Sequence, residues 1–321
     1  MKYFDVFNGD ADGICALHQL RLAEPLQADL VTGVKRDIAL LERVAAAAGD
    51  RVTVLDVSLD RNRDALLRLL DLGVKVRYFD HHAAGELPSH AGLEAHIDQA
   101  GGVCTSMLVD RYLEGKFRVW AVVAAFGDQL PESALRLAGS LSLDAAQLQA
   151  LRSLGESLNY NAYGETEADL MMPPAELYRV VRRFADPFRL IAEEELIGRL
   201  GAQRAADMER ALSVTPYRSA RDYDAFVLPD EPWSRRVSGS FANHLVRSDP
   251  ARAHAVLTPN SRGGYAVSVR SRGAGGVSAA DICRRFAGGG GRREAGGIDH
   301  LEASRVDDFL GVLEQSYVKR S

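Results

Sequence analysis

The chain has 321 residues, 46% hydrophobic and 26% charged, with 39 Lys and Arg against 44 Asp and Glu. That length predicts two domains, and the net charge of −5 argues against tight sequence-blind binding of long nucleic acid, long double-stranded DNA included. Cys15, Cys104 and Cys283 stand far apart with no CxxC pair, which excludes a disulfide scaffold and a structural zinc ribbon and fits a reducing compartment.

Residues 3–7 predict a strand and 13–23 a helix with Ile14, Leu17 and Leu20 on its buried side. A weak strand follows at 30–32, then an Ala/Leu-rich helix over 38–48, a strand at 52–55, a helix at 62–72 and a strand at 75–79. This β-α-β-α alternation predicts an α/β fold with a parallel sheet covered by helices on both faces. From 105 to about 212 the pattern is mostly helical, ending in a long charged helix over 188–212. Beyond it come strands at 225–228, 253–257 and 265–269, a helix at 240–246, and a glycine-dense tail with a helix at 278–286. The expected organisation is an α/β domain with a helical portion over 1–190, a connecting helix and linker over 191–220, and a smaller α/β substrate-binding domain over 221–321. The first residues carry Asp5, Asp10 and Asp12 where a secretory signal carries an apolar run, and the longest apolar stretch is residues 119–126. A cytoplasmic protein with no membrane partner is expected.

Charge is unevenly divided, with a net of −9 over residues 1–212 and +4 over 213–321. Residues 235–293 hold eleven Arg and no Lys, opposed only by Asp249 and Asp281. Such a cluster suits bidentate phosphate contacts, with GC-rich codon bias as the alternative explanation.

Three predicted strands end in acidic residues. The first runs into Asn8-Gly9-Asp10-Ala11-Asp12-Gly13, the strand at 52–55 into Asp56, and the strand at 75–79 into Asp80-His81-His82. In open α/β sheets ligands bind outside the carboxyl ends of the strands, so these groups are expected to converge. Asp128 again follows an apolar run and is a fourth candidate. Several carboxylates in one cleft repel unless neutralised, and a divalent metal neutralises them most directly. Carboxylates with one or two imidazoles and no thiolate suit Mn²⁺ or Mg²⁺, and two such ions bridged by a shared Asp could activate water against a phosphodiester. Asp60, Asp64 and Asp98 are expected as turn formers or helix caps, and His18, His90 and His254 as surface or core residues.

Asp10-Ala11-Asp12, Asp56, Asp80-His81-His82 and Asp128, in that order, resemble the four motifs of the DHH phosphoesterase superfamily. Ser268-Val269-Arg270 and the later Gly288-Gly289-Gly290-Gly291-Arg292-Arg293-Glu294-Ala295-Gly296-Gly297 are similar to the DHH-associated C-terminal domain, with its Ser-x-Arg strand and GGGHxxAAG loop. The resemblance covers nearly the whole chain and implies hydrolysis of phosphoanhydride or phosphodiester bonds with two Mn²⁺ or Mg²⁺ ions. It implies Asp10, Asp12, Asp56, His81 and Asp128 as metal ligands, with Asp56 bridging. Asp80, His81 and His82 would form the catalytic group, Asp80 orienting imidazole and water and His82 facing the substrate phosphate or the leaving oxygen. Arg270 would clasp a phosphate or base, and Gly289, Gly290 and Gly291 would let backbone N–H groups approach a nucleotide. There are two departures. Asn8 stands near where many relatives carry a histidine, as a weaker oxygen ligand or the holder of a water. Arg292 replaces the glycine-loop histidine, and can grip a phosphate or stack on a base.

An acidic half and an arginine-bearing half imply a cleft that measures substrate length. A dinucleotide fits such a cleft, whereas a long strand needs a basic track with interleaved aromatics, and aromatics total only 7%. Nor is the further nucleic-acid-binding domain of RecJ-type exonucleases expected here. A di- or short-oligonucleotide substrate is therefore expected, with pGpG as first choice because Arg270 and Arg292 can hydrogen-bond guanine acceptors. The alternatives are a pAp phosphatase, a single-strand exonuclease of the same superfamily, and a non-catalytic nucleotide sensor. A homodimer is left open. Residues 158–165, with Asn159, Tyr160, Asn161 and Tyr163, read either as a base-stacking loop or as a helix-capping turn.

Overall fold

Phe4 and Val6 enter one hydrophobic cluster and Phe7 another, the period-2 pattern of a strand covered on both faces. The computed structural model describes residues 1–272 and 277–317 and carries this pattern through a five-stranded, all-parallel sheet. Its strands are β1 (Tyr3–Phe7), β2 (Asp29–Val31), β3 (Arg51–Leu55), β4 (Lys75–Asp80) and β5 (Leu93–Ile97), in the order β2-β1-β3-β4-β5. One face carries Val6, Val54 and Tyr78 against α2 (Arg63–Asp71), whose Leu66, Leu69 and Leu70 are buried. The other carries Phe7, Leu55 and Phe79 against α1 (Ala11–Ala23), α3 (Thr105–Tyr112) and α4 (Arg118–Gly127). The expected parallel sheet with helices on both faces is present.

The helical portion continues with α5 (Pro131–Ala138), α6 (Ala145–Ala162), α7 (Pro174–Val181), α8 (Pro187–Glu193) and α9 (Glu195–Leu212). α4 is buried from Trp120 to Gly127, so it is the central helix of this layer. Its approach to α6 depends on two glycines: a Cβ on Gly155 would lie 2.1 Å from the Val123 carbonyl oxygen, and one on Gly127 would lie 2.8 Å from the Gly155 carbonyl oxygen. Asp128 follows Gly127 directly, so this close packing also fixes where that carboxylate sits.

The chain divides into two compact units between Ala202 and Gln203, inside α9. The second unit holds a six-stranded mixed sheet in the order β10-β11-β9-β8-β7-β6. Its strands are β6 (Arg218–Ser219), β7 (Tyr223–Val227), β8 (Ala253–Pro259), β9 (Gly264–Arg270), β10 (Gly289–Gly291) and β11 (Ala295–Glu302). α10 (Pro232–Ser248) connects the parallel pair β7 and β8, and α11 (Ala279–Cys283) and α12 (Val306–Tyr317) share a core with Tyr223, Val267 and Val269. No helix among the described residues is long and apolar enough to cross a membrane.

Several local expectations are corrected. Residues 38–48 form only a 3-10 turn, Leu40–Arg43, despite high helix propensity. Asn62 takes over this segment's backbone groups, accepting from the Leu41 N–H at 3.1 Å and donating to the Ile38 carbonyl at 2.5 Å, while Leu40, Leu41 and Val44 fill the sheet core. The helix expected over 188–212 is broken at Glu194, which is extended. The glycine-dense tail is not a loop throughout, since Gly289–Gly291 pair with 296–298 as an antiparallel ladder. β5, β11 and α12 carried no signal that stood out, the first two because half-exposed strands with His, Gly or Asp dilute the β pattern.

Gly155→Ala tests the helix crossing. The added methyl should cost about 1–3 kcal/mol of unfolding free energy in denaturant titration. An unchanged midpoint would show that α4 and α6 can separate freely.

Candidate metal centre

Each acidic motif is placed by a chain element that ends at the same edge of the parallel sheet. Asp10 is the N-cap of α1, its Oδ1 accepting from the N–H groups of Asp12 at 3.0 Å and Gly13 at 3.1 Å. That cap is why α1 begins at Ala11, two residues before the apolar pattern suggests. Gly13 is required there, because a Cβ would fall 2.2 Å from the Asn8 carbonyl oxygen. Asp12, in the first turn of α1, accepts from two backbone N–H groups at the start of α3, Thr105 and Ser106, each at 2.7 Å. Asp56 directly follows β3 with φ at 59°, a left-handed conformation uncommon outside glycine, and accepts from the Thr105 hydroxyl at 3.1 Å. Asp80 is the last residue of β4, and Asp128 is the C-cap of α4.

These groups converge. His81 Nε2 lies 3.4 Å from Asp56 Oδ1 and 4.0 Å from Asp128 Oδ2. Asp12, His81 and Asp128 offer ligand atoms all within 4.8 Å of one another, as do Asp56, His81 and His82. His82 Nδ1 makes a 2.6 Å hydrogen bond with Asp80 Oδ1, and the other oxygen of Asp80 is buried without a partner. Buried hard oxygen donors with an imidazole and no thiolate fit Mn²⁺ or Mg²⁺. Asn8 uses both amide atoms on backbone: Oδ1 accepts from the Asp10 N–H at 3.3 Å, and Nδ2 donates to the Lys35 carbonyl at 3.4 Å.

Lys35, Thr105 and Ser106 were not singled out by sequence reasoning. The Lys35 ammonium bonds Asp10 Oδ2, reaches Asn159 Oδ1 at 3.3 Å and Asp128 Oδ1 at 3.7 Å, and lies 5.6 Å from the Tyr163 ring centroid. Thr105 and Ser106 hold Asp12 and Asp56. Their only sequence signals are a Lys just past the second strand and a Thr-Ser pair opening a helix. Asn159, Tyr160 and Asn161 lie in the last turn of α6 and are buried, so the helix-end reading of this segment holds.

Electrostatics follow from the burial. Burial and the charges of Asp12, Asp10 and Asp128 push the Asp56 carboxyl well above the usual carboxylate range. Asp128 rises to about 6 by burial, against the opposing pull of Lys35. Asp10 goes the other way: burial would raise it, but the charge and hydrogen bond of Lys35 hold it below its ordinary value. His82 is lowered by burial, yet its hydrogen bond to Asp80 outweighs this and leaves it raised. The cluster without a cation therefore carries unfavourable charge at Asp56 and Asp128.

No family model and no curated protein sequence matches the chain. Solved structures do match in fold. An exonuclease RecJ bound to manganese aligns with a TM-score of 0.63 and 18% identity, covering 100% of this chain and 91% of that one. RecJ from Thermus thermophilus in complex with Mn²⁺ gives the same score and identity over 98% of this chain but only 51% of its own. A pGpG-specific phosphodiesterase, PggH from Vibrio cholerae, aligns at 0.52 and 14% identity over 97% of both chains. The chain shares its fold with these RecJ and PggH structures. Of the residues expected as metal ligands, Asp12, His81 and Asp128 lie together, Asp56 lies with His81 and His82, and Asp10 joins them through Lys35, which also approaches Asp128.

The expected substrate-binding residues lie in the second unit. Arg270 ends β9, its Nε donating to Asn243 Oδ1 at 2.6 Å. Arg292 is exposed beyond β10, an edge strand whose Gly290 has open space where a side chain would be. The arginine count of this region overstates its basic surface. Arg235, Arg236, Arg252, Arg262, Arg272 and Arg284 form ion pairs with carboxylates of the same unit, including Asp207, Asp222 and Asp224, which lie outside the window counted above. His18, expected as surface or core, is a core residue that bonds the Phe184 carbonyl.

Asp56→Asn should raise the stability of the metal-free protein by about 0.5–2 kcal/mol, the usual size where a strained site is relaxed. Asn tolerates the left-handed backbone and keeps the acceptor for Thr105. The same variant should lose the Mn²⁺-dependent rise in melting temperature shown by the parent. A destabilised metal-free variant would contradict the charge account.

Proposed function

We propose that the chain is a divalent-metal-dependent phosphodiesterase that hydrolyses short nucleotides, linear dinucleotides such as pGpG above all, to mononucleotides. The observation that carries this is the convergence of Asp12, Asp56, His81 and Asp128 beside an Asp80–His82 pair at the carboxyl end of the parallel sheet. The shared fold with enzymes named as an exonuclease and a pGpG-specific phosphodiesterase supports phosphoester chemistry on nucleotides.

In this reading Asp10, Asp12, Asp56, His81 and Asp128 would hold the divalent cations. When bound, Mn²⁺ or Mg²⁺ supplies positive charge to the phosphoryl oxygens and makes hydroxide available at neutral pH. Thr105 and Ser106 keep Asp12 and Asp56 from turning away, as groups behind metal ligands commonly do. Asp80 fixes the His82 ring through Nδ1, leaving Nε2 to donate a proton to the leaving oxygen; the His82 side chain is 43% exposed and so accessible to substrate. On the second unit, Arg270 and the exposed Arg292 offer guanidinium groups to a phosphate or base, and Gly289, Gly290 and Gly291 allow close approach of a nucleotide to the edge strand.

The test is Mn²⁺-dependent release of GMP from pGpG, compared with short RNA oligomers and pAp. His82→Ala should lower kcat by about 10²–10⁴-fold, the range for loss of a general acid. Arg292→Ala should raise KM with little change in kcat, as loss of uniform binding does. Tight nucleotide binding by the parent protein without turnover would sink the enzyme reading in favour of a sensor.

A further inference from the structure

Parallel sheets are covered on both faces, and this one departs from that rule at its amino end. On the face that packs against α1, α3 and α4, side chains form rows across the strands. Phe7, Leu55 and Phe79 make the row that belongs to the core. Toward the strand starts, the next row is Asp5, Thr53 and Arg77, and the last is Tyr3, Arg51 and Lys75. Tyr3, Arg51, Thr53, Lys75 and Arg77, with Arg21 from the end of α1, line a cavity of about 340 Å³. It lies at the opposite end of the strands from the acidic motifs.

The floor of this cavity is fixed and electrically balanced. Arg21, its side chain only 9% exposed, holds both oxygens of the buried Asp5 at 2.9 and 2.6 Å and donates to the Thr53 hydroxyl at 3.1 Å. Arg77 donates to Glu24 at 2.9 Å and to Glu94 at 3.1 Å. The mouth is different. Arg51 and Lys75 are register partners on β3 and β4, both exposed, and neither has a carboxylate partner among the described residues. Neighbouring strands run about 4.8 Å apart, so these two cations repel unless an anion lies between them.

The cavity is of the size of small-molecule sites and larger than a bare phosphate fills. Glu24 and Glu94 also line it, and their carboxylate oxygens, partly exposed, can each accept further hydrogen bonds. They repel a second phosphate and suit N–H donors. One phosphate joined to a group rich in N–H donors satisfies both ends of the cavity, and a nucleoside monophosphate has that chemistry.

We propose that the amino end of the parallel sheet is a second ligand site, for a nucleoside monophosphate, with the phosphate on Arg51 and Lys75 and the base N–H groups on Glu24 and Glu94. It shares no residue with the metal centre, so it stands or falls apart from the metal-dependent reading.

The experiment is calorimetric titration of the full chain with GMP in EDTA. Arg51→Ala combined with Lys75→Ala should weaken GMP binding by about 10-fold or more, the scale of a lost charge-assisted hydrogen bond. Lys75→Gln alone, at an exposed position, should weaken it in the same direction. Arg270→Ala combined with Arg292→Ala should leave it unchanged, and inorganic phosphate should bind more weakly than GMP. No GMP binding by the parent protein, a loss confined to the Arg270 and Arg292 variant, or inorganic phosphate bound as tightly as GMP overturns the proposal.

Discussion

Mutual repulsion among Asp10, Asp12, Asp56 and Asp128 is the constraint around which the first unit is organised. All four are drawn to one end of a parallel sheet by where β1, β3 and α4 stop, and three are buried. Left to themselves they would protonate or spread apart. The structure instead surrounds them with donors: the N-terminus of α1 on Asp10, that of α3 on Asp12, the Thr105 hydroxyl on Asp56 and the ammonium of Lys35 on Asp10. The charge that remains falls on Asp56 and Asp128, whose carboxyls are pushed upward. A site that keeps carboxylates in such a state has stored a demand for a cation.

The same constraint accounts for the tight backbone contacts nearby. Gly9, Gly13, Gly127 and Gly155 each sit where a Cβ would collide with neighbouring backbone or side-chain atoms, and each collision would displace an element that carries an acidic motif or Lys35. Asp56 adopts its left-handed conformation at the end of β3, where the strand must turn to present the carboxylate. Strain and close packing concentrate where the ligands are set, as is usual for sites that must hold charge in place.

Much of this was legible in the sequence because strand ends, period-2 patterns and Asp or His after an apolar run are local signals. β1, β3 and β4 and the residues following them were found on that basis. The segment 38–48 was misread because its helix propensity is local while its fate is decided by Asn62, some twenty residues away in sequence. Lys35 was missed for a similar reason: a lysine past a short strand has no distinctive pattern, and its meaning arises only when Asn159 and Tyr163 are folded against it. Arginine counting failed differently. It weighed Arg against the acids within its own stretch, whereas Asp207, Asp222, Asp224 and Asp299 reach those arginines from outside it.

The central claim is that the sheet-end carboxylates form a cation site with defined ligands. Anomalous diffraction from crystals of the protein grown with Mn²⁺ tests it most directly. The account predicts manganese bound among Asp10, Asp12, Asp56, His81 and Asp128. A cluster without a peak at saturating Mn²⁺, or a peak ligated by other residues, would contradict it.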